Sequence, residues 1–299
     1  MVALLMHAAE QGLVYGIAAL GIFISYRVLR FPDLTVDGSF VTGAAIASSL
    51  VVSGGFDPAV TLVLAFLAGA LAGTVTGVLH TRLGIADLLA GVLSMIMLYS
   101  INLRIMGRPS ISLLRVETVT RGISEGIPLL GSAALLVVMA GAVLVTKLLL
   151  DFFLRTEVGL ALRATGDNPR MVTAQGIDPR RMKVLGLALS NGLVALSGAL
   201  VAQYSGFADI GMGVGTIVTG LAAVIIGGSL IRSRRVGWMT ASVLLGSLIY
   251  RLAVMFALRF GYAIGFQASD VKLVTSLVVI IALVVPGLRE RLSKGAKAC

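Results

Sequence analysis

Apolar runs of roughly 17–25 residues recur along the chain, about the length of helix that crosses a bilayer core. Only 13% of the 299 residues are charged and the mean hydropathy is +1.01, which is too apolar for a soluble surface. Lipid cannot satisfy free backbone groups, so the runs must be helical; barrel strands would alternate apolar and polar residues instead. The predicted fold is all-α, a polytopic transmembrane helical bundle forming one domain over residues 1–299.

Nine hydrophobic segments are expected: 11–30, 37–54, 58–79, 86–106, 129–150, 183–204, 216–231, 237–257 and 271–287. With the tail 288–299 in the cytoplasm, that face also holds the loops 27–36, 80–85, 147–183 and 231–236. Together these stretches carry 17 of the 24 Lys and Arg residues. The asymmetry obeys the positive-inside rule and puts the N-terminus outside. The net charge of +10 comes without a long basic run or basic–aromatic interleaving, so nucleic-acid binding is not expected. Cys299 is the single cysteine and forms neither an internal disulfide nor a prenylation box. Glu10 precedes the first apolar run and no basic n-region is present, so no cleavable signal peptide is expected.

The segment Gly38-Ser39-Phe40-Val41-Thr42-Gly43 recurs as Gly215-Thr216-Ile217-Val218-Thr219-Gly220. Both copies open short apolar segments after an aspartate-bearing loop (Asp33, Asp209). Asp87 and Asp270 then each open a further span. With the orientation above the copies run in opposite directions, which predicts an inverted internal repeat with broken helices, its halves at about 33–106 and 209–287. In transporters such interrupted spans mark the substrate path. Glycines at 69, 73 and 77 predict close helix packing, within one subunit or between two.

One polar island interrupts the apolar chain, from Leu162 to Ile177. Asp167 and Asn168 are helix N-caps and Pro169 suits the first helical position, so a short helix is expected from about Pro169 to Gln175, ending at Gly176. Met171, Val172 and Ala174 give it an apolar side. It either offers itself to a soluble partner or rests on lipid.

The run Arg155-Thr156-Glu157-Val158-Gly159-Leu160-Ala161-Leu162-Arg163-Ala164-Thr165-Gly166-Asp167-Asn168-Pro169, followed by Gly176-Ile177-Asp178, closely resembles the cytoplasmic signature of permeases of the branched-chain amino acid and ribose class of ABC importers. The runs Pro32–Phe40 and Tyr99–Gly107 resemble a subgroup assigned to aromatic amino acid (tryptophan/tyrosine) uptake. The resemblance spans about Gly12 to Pro286. It implies that a cytoplasmic segment at about 155–181 docks in an ATPase, with Arg163, Ala164, Thr165, Gly166, Asp167, Asn168, Pro169, Met171 and Gly176 as coupling residues. It further implies two ATPase copies, an extracytoplasmic substrate-binding protein, a second permease subunit (simplest as a homodimer) and the bacterial inner membrane.

The chain lacks the Gly-x-x-x-x-Gly-Lys-[Ser/Thr] loop, so ATP and Mg would sit on the partner ATPase and no cofactor is expected here. No catalytic residue and no metal site are expected, since His7 and His80 lie far apart and no ligand motif is visible. The competing function is an ion-gradient-driven secondary transporter, which inverted repeats and an intramembrane Asp37 would also fit.

Candidate path residues are Asp37, Ser39, Tyr99 and Asn102. Asp37 either faces a path or, with Asp33, caps a broken helix. Asp87 is read as a cap. Tyr99 and Asn102 share a helix face from which Arg104 is turned away. Asn102 could bind an amino acid's polar end or bridge two helices, and Asn191 carries the same ambiguity. Arg251, mid-span, either pairs with an aspartate or snorkels to an interface, and a structural pair is expected. Arg104, Arg108, Arg115 and Arg121 form an outer basic group that either meets an acidic binding protein or is plain solvated charge or contact with lipid head groups.

Overall fold

The computed structural model describes residues 2–120, 122, 134–231, 233, 235–263, 273 and 275–280. The segment 271–287 is helical where described, at 273 and 275–280. Arg121, Asp270, Lys272, Arg232, Arg234 and the tail 288–299 with Cys299 lie outside the described residues.

Helix α1 (Val2–Ile22) passes into a π-helical turn at Phe23–Val28. Then come α2 (Thr35–Gly54), α3 (Pro58–Thr81), α4 (Asp87–Met106) and strand β1 (Ser110–Ser112). They are followed by α5 (Ala134–Arg155), α6 (Glu157–Asp167), α7 (Pro169–Ala174) and α8 (Pro179–Ser205). Strand β2 (Phe207–Asp209), α9 (Thr216–Leu230) and α10 (Val236–Ala263) complete the order. Among the described residues seven helices are long and apolar enough to cross a membrane.

Helices α1, α2 and α8 form the buried centre, around Phe23, Phe40, Leu187 and Val194. Helices α3, α4, α5 and α10 make the outer layer, with large apolar side chains such as Leu71, Leu149 and Phe152 exposed as a lipid-facing surface requires. The 69/73/77 glycine ladder packs within the chain. Gly69 and Gly73 lie on the α8 backbone at Asn191 and Leu187, and Gly77 lies against Val184. The antiparallel pair β1–β2 (Ser110 opposite Asp209) joins the ends of α4 and α8.

Two expected spans differ. The first helix starts well before residue 11, because Glu10 is buried within it and accepts the Tyr204 hydroxyl at 2.9 Å. The helix in segment 216–231 is too short to cross alone. Helix α9 has 15 residues, about 22 Å at the helical rise, and begins in the interior after the non-helical stretch Ile210–Gly215.

The reason lies in the repeat. Asp33 and Ser39 both bond Asn191, near the middle of the 27-residue α8, so α2 begins at mid-depth. The first turn of α9 is tied to the first turn of α2 through Asp37. From there α2 runs to the end where Ser49 bonds Ile105 of α4. Helix α9 runs to the opposite end, where Gly227 packs on Ser242 of α10. The two helices thus start together and diverge, as an inverted pair does. Asp33 and Asp209 also match locally, each accepting the amide two residues on, at 2.9 and 2.8 Å.

Candidate functional site

The polar island forms two capped helices. Thr156 Oγ1 accepts the Gly159 amide at 3.3 Å and opens α6, a helix the sequence reading did not resolve. Asn168 Oδ1 accepts the Met171 amide at 3.1 Å and opens α7, with Pro169 in its first turn. Gly176 ends the unit at φ +82°, a conformation costly for any side-chain-bearing residue. Asp167 does not cap α7; it ends α6 and receives Arg30 Nη2 at 2.7 Å.

Leu162, Thr165 and Val172 are buried, while Asp167, Asn168, Pro169, Met171 and Gly176 are exposed. Arg163 and Ala164 are half-buried. Gly166 lies so close on the Val28 carbonyl that a methyl group would collide with backbone. The segment therefore bears on the π-helical turn and on Arg30, which adopts φ +55°.

From Arg30 the chain turns back into the bundle. Asp33 is buried, with Oδ1 accepting the Thr35 amide and Oδ2 accepting Asn191 Nδ2 at 2.6 Å. Ser39 Oγ donates to Asn191 Oδ1 at 2.7 Å, so Ser39 points at α8. A hydroxyl chain, Thr35–Thr76–Ser94 at 2.8 Å per link, joins α2, α3 and α4. One helical turn later Asp37 accepts the amides of Gly215 at 3.0 Å and Ile217 at 2.8 Å. Its charge meets the partial positive charge of the α9 N-terminus. The alternatives for Asp37 thus combine: it is a cap, but of the other repeat's helix, and it also borders a cavity.

That cavity, of about 360 Å³, is lined by Asp37, Tyr99 and Asn102 together with Val41, Met95 and Val214. Asn102 is buried and bridges α4 to α2 through Nδ2 and Gly38 O at 3.2 Å. Tyr99 stands exposed at the rim, and Ser39 is not among the lining residues. Asp87 lies in the first turn of α4, where Oδ1 accepts the Leu88 amide.

Arg104, Arg108 and Arg115 are exposed around the β1 end of the bundle; Arg121 lies outside the described residues. Arg251 corrects the expected ion pair. It stacks 3.5 Å over the Tyr15 ring, and Tyr15 in turn stacks on Phe40. No acidic partner reaches it among the described residues, because aromatic faces occupy that part of the bundle.

Two polar clusters escaped the sequence reading. Lys147 pairs with Asp151 at 2.5 Å, and Thr240 donates to the same carboxylate at 2.6 Å. Their signal was the i, i+4 spacing of opposite charges inside an apolar run. Glu10, Tyr204 and His7 form the other; His7 and Glu10 stand three residues apart in α1, but Tyr204 lies far along the chain and gave no signal.

Residues 4–284 match the family model described as "Branched-chain amino acid transport system / permease component". The chain belongs to this family. It is thus a multi-pass membrane permease of a transport system. It is 40% identical to the tyrosine transport system permease protein of Clostridioides difficile (strain R20291), over 95% of this chain and 92% of that one. An uncharacterized protein of Rickettsia prowazekii (strain Madrid E) is 35% identical over 94% and 96%. The autoinducer 2 import system permease protein LsrC of Enterobacter sp. (strain 638) is 29% identical over 66% and 55%. A chain of PsaBC from Streptococcus pneumoniae in complex with Fab shares the fold, with a TM-score of 0.51 at 17% identity, over 93% of the permease and 89% of that chain.

Proposed function

We propose that the permease forms the membrane path of an ATP-driven importer for an amino acid, aromatic in side chain, delivered by an extracytoplasmic binding protein. Two copies of the chain pair as a homodimer with two copies of a separate ATPase, which holds ATP and Mg. The protein lies in the bacterial inner membrane, with the α6–α7 segment and C-terminus cytoplasmic and the N-terminus outside. It is a transport subunit and not an enzyme.

One observation carries this reading: the exposed, capped α6–α7 segment is seated on the hinge between α1 and α2. Asp167, Asn168, Pro169, Met171 and Gly176 present an exposed surface to an ATPase, with Arg163, Ala164, Thr165 and Gly166 seating it from behind. A push there bears through Gly166 on Val28 and through Asp167 on Arg30. The loop from Arg30 leads within three residues to Asp33 and then to the first turn of α2. Asp37 passes displacement to α9, so both halves of the repeat shift around the 360 Å³ cavity. The path then runs past Asp37, Tyr99 and Asn102, with Ser39 holding α2 to α8 behind it. The aromatic substrate follows from the tyrosine transport name of a relative at 40% identity.

The test is co-expression with a cognate ATPase, purification in mild detergent and mass determination. A two-plus-two complex, lost when Gly166-Asp167-Asn168 becomes three alanines, is the expected outcome. Full uptake by the permease alone, driven by an ion gradient, overturns the proposal.

A further inference from the structure

A second cavity, of about 300 Å³, lies between α1, α10 and the start of α9. Val214 lines both this cavity and the one that holds Asp37, so both reach the turn before α9. Their charged walls are opposite in sign. This one carries Arg251, together with Tyr15, Thr216 and Thr219, and no acidic side chain lines it among the described residues. The Arg251 guanidinium carbon lies 3.5 Å from the centre of the Tyr15 ring, so the charged head sits on a residue that forms the wall. Its Nε is buried and unpaired. Its two terminal nitrogens also have no hydrogen bond among the described residues, but they keep accessible surface.

Thr216 and Thr219 stand three residues apart, on one face of α9. Thr216 is 4% exposed, and neither hydroxyl has a partner among the described residues. The wall is therefore rich in unused donors. A cation at the depth where α9 begins is costly without a counter-charge, and an aromatic face offsets only part of that cost. One cation suits a monoanion better than a phosphate group, which carries nearly two charges. A chloride ion would leave most of the 300 Å³ empty. The guanidinium fork fits a planar carboxylate, and Val214 and Val218 offer apolar wall to whatever bears it. The volume lies at the small end of ligand pockets, as a solute of amino-acid size requires.

We infer that this cavity is a subsite for the carboxylate of a small solute with an apolar or aromatic skeleton. The terminal nitrogens of Arg251 pair with the carboxylate, Thr216 and Thr219 donate to it, and the skeleton lies along Val214 and Val218. The inference rests on the transport function proposed above and adds that the substrate is read a second time, within the membrane, by its acid group.

The test uses the full-length permease in phosphatidylcholine nanodiscs, titrated with radiolabelled 3-(4-hydroxyphenyl)propionate and competed with L-tyrosine or tyramine. The propionate has the carboxylate without the amine and should bind. L-tyrosine should displace it, and tyramine, which lacks the carboxylate, should compete at least tenfold more weakly. Arg251→Met removes the charge, keeps an apolar stem beside Tyr15 and should weaken propionate binding at least tenfold. Val218→Trp fills the cavity from an exposed position, leaves Arg251 in place and should have the same effect, which covers the case of an unfolded Arg251 variant. No propionate binding to the wild type, competition by tyramine as strong as by L-tyrosine, or unchanged binding in either variant overturns the subsite. Vesicle uptake separates the two claims. No ATP-driven L-tyrosine uptake by the complete wild-type assembly overturns the function and the subsite together, whereas uptake without propionate binding overturns the subsite alone.

Discussion

Asp37 on α2 accepts the Ile217 amide on α9 at 2.8 Å, so a side chain in one repeat caps the first turn of its counterpart in the other. The bond fastens the two halves where both helices begin. Neither helix can slide along its axis without breaking it or carrying the other along.

Replacing this cap should be visible as stability. Asp37→Ala is expected to cost about 1–2 kcal/mol, the upper range for a lost N-cap. Asp37→Asn keeps one acceptor and should cost less. Thermal unfolding in detergent should rank wild type above Asn and Asn above Ala. An alanine variant as stable as wild type would remove Asp37 from this role.

The Arg30–Asp167 pair is different in kind. Its side chains are 66% and 74% exposed, so either single charge reversal should change stability by no more than about 1 kcal/mol. Coupling is the expected casualty. Arg30→Asp and Asp167→Arg should each lower uptake per ATP hydrolysed severalfold, and the double swap should recover most of it. Failure of the swap to recover uptake would show that the contact acts through something other than charge.

Lys147 and Asp151 are nearly buried, and Thr240 completes their hydrogen bonding. Asp151→Ala leaves an ammonium without its partner and should cost about 3–5 kcal/mol. Replacing both residues, Lys147→Met with Asp151→Leu, should be milder. Tm values in the order wild type, double variant, single variant would bear this out, and a single variant at least as stable as the double would contradict it.

At the opposite end, Arg104→Glu with Arg108→Glu should weaken docking of a binding protein at low salt. The deficit should shrink as salt screens the charges. Titration of the reconstituted permease at two ionic strengths measures it. A salt-independent loss would point to damaged folding.

Local chemistry was the legible part of the chain. Apolar length located most spans, Asn168-Pro169 marked the start of α7, and Gly176 its end. The 38–43 and 215–220 match located α2 and α9, because both need small residues at crowded starts. What stayed hidden depends on distant residues. No local pattern says that Asp37 caps a helix some 180 positions away, or that Ser39 turns to Asn191 rather than to a cavity. Arg251 misled for the same reason: a lone membrane arginine suggests an acid, while the fold supplies the Tyr15 ring. Apolar length also cannot tell α9, which starts in the interior, from a complete crossing.

The π-helical turn at Phe23–Val28 amounts to a residue absorbed into α1 without breaking it. Each residue of an α-helix advances the chain about 100° around the axis. A deletion of one residue there, restoring ordinary α geometry, would swing Arg30 more than a quarter-turn away from Asp167 while leaving every chemically notable side chain in the sequence. The permease should therefore tolerate changes of residue type along this turn better than any change in its length.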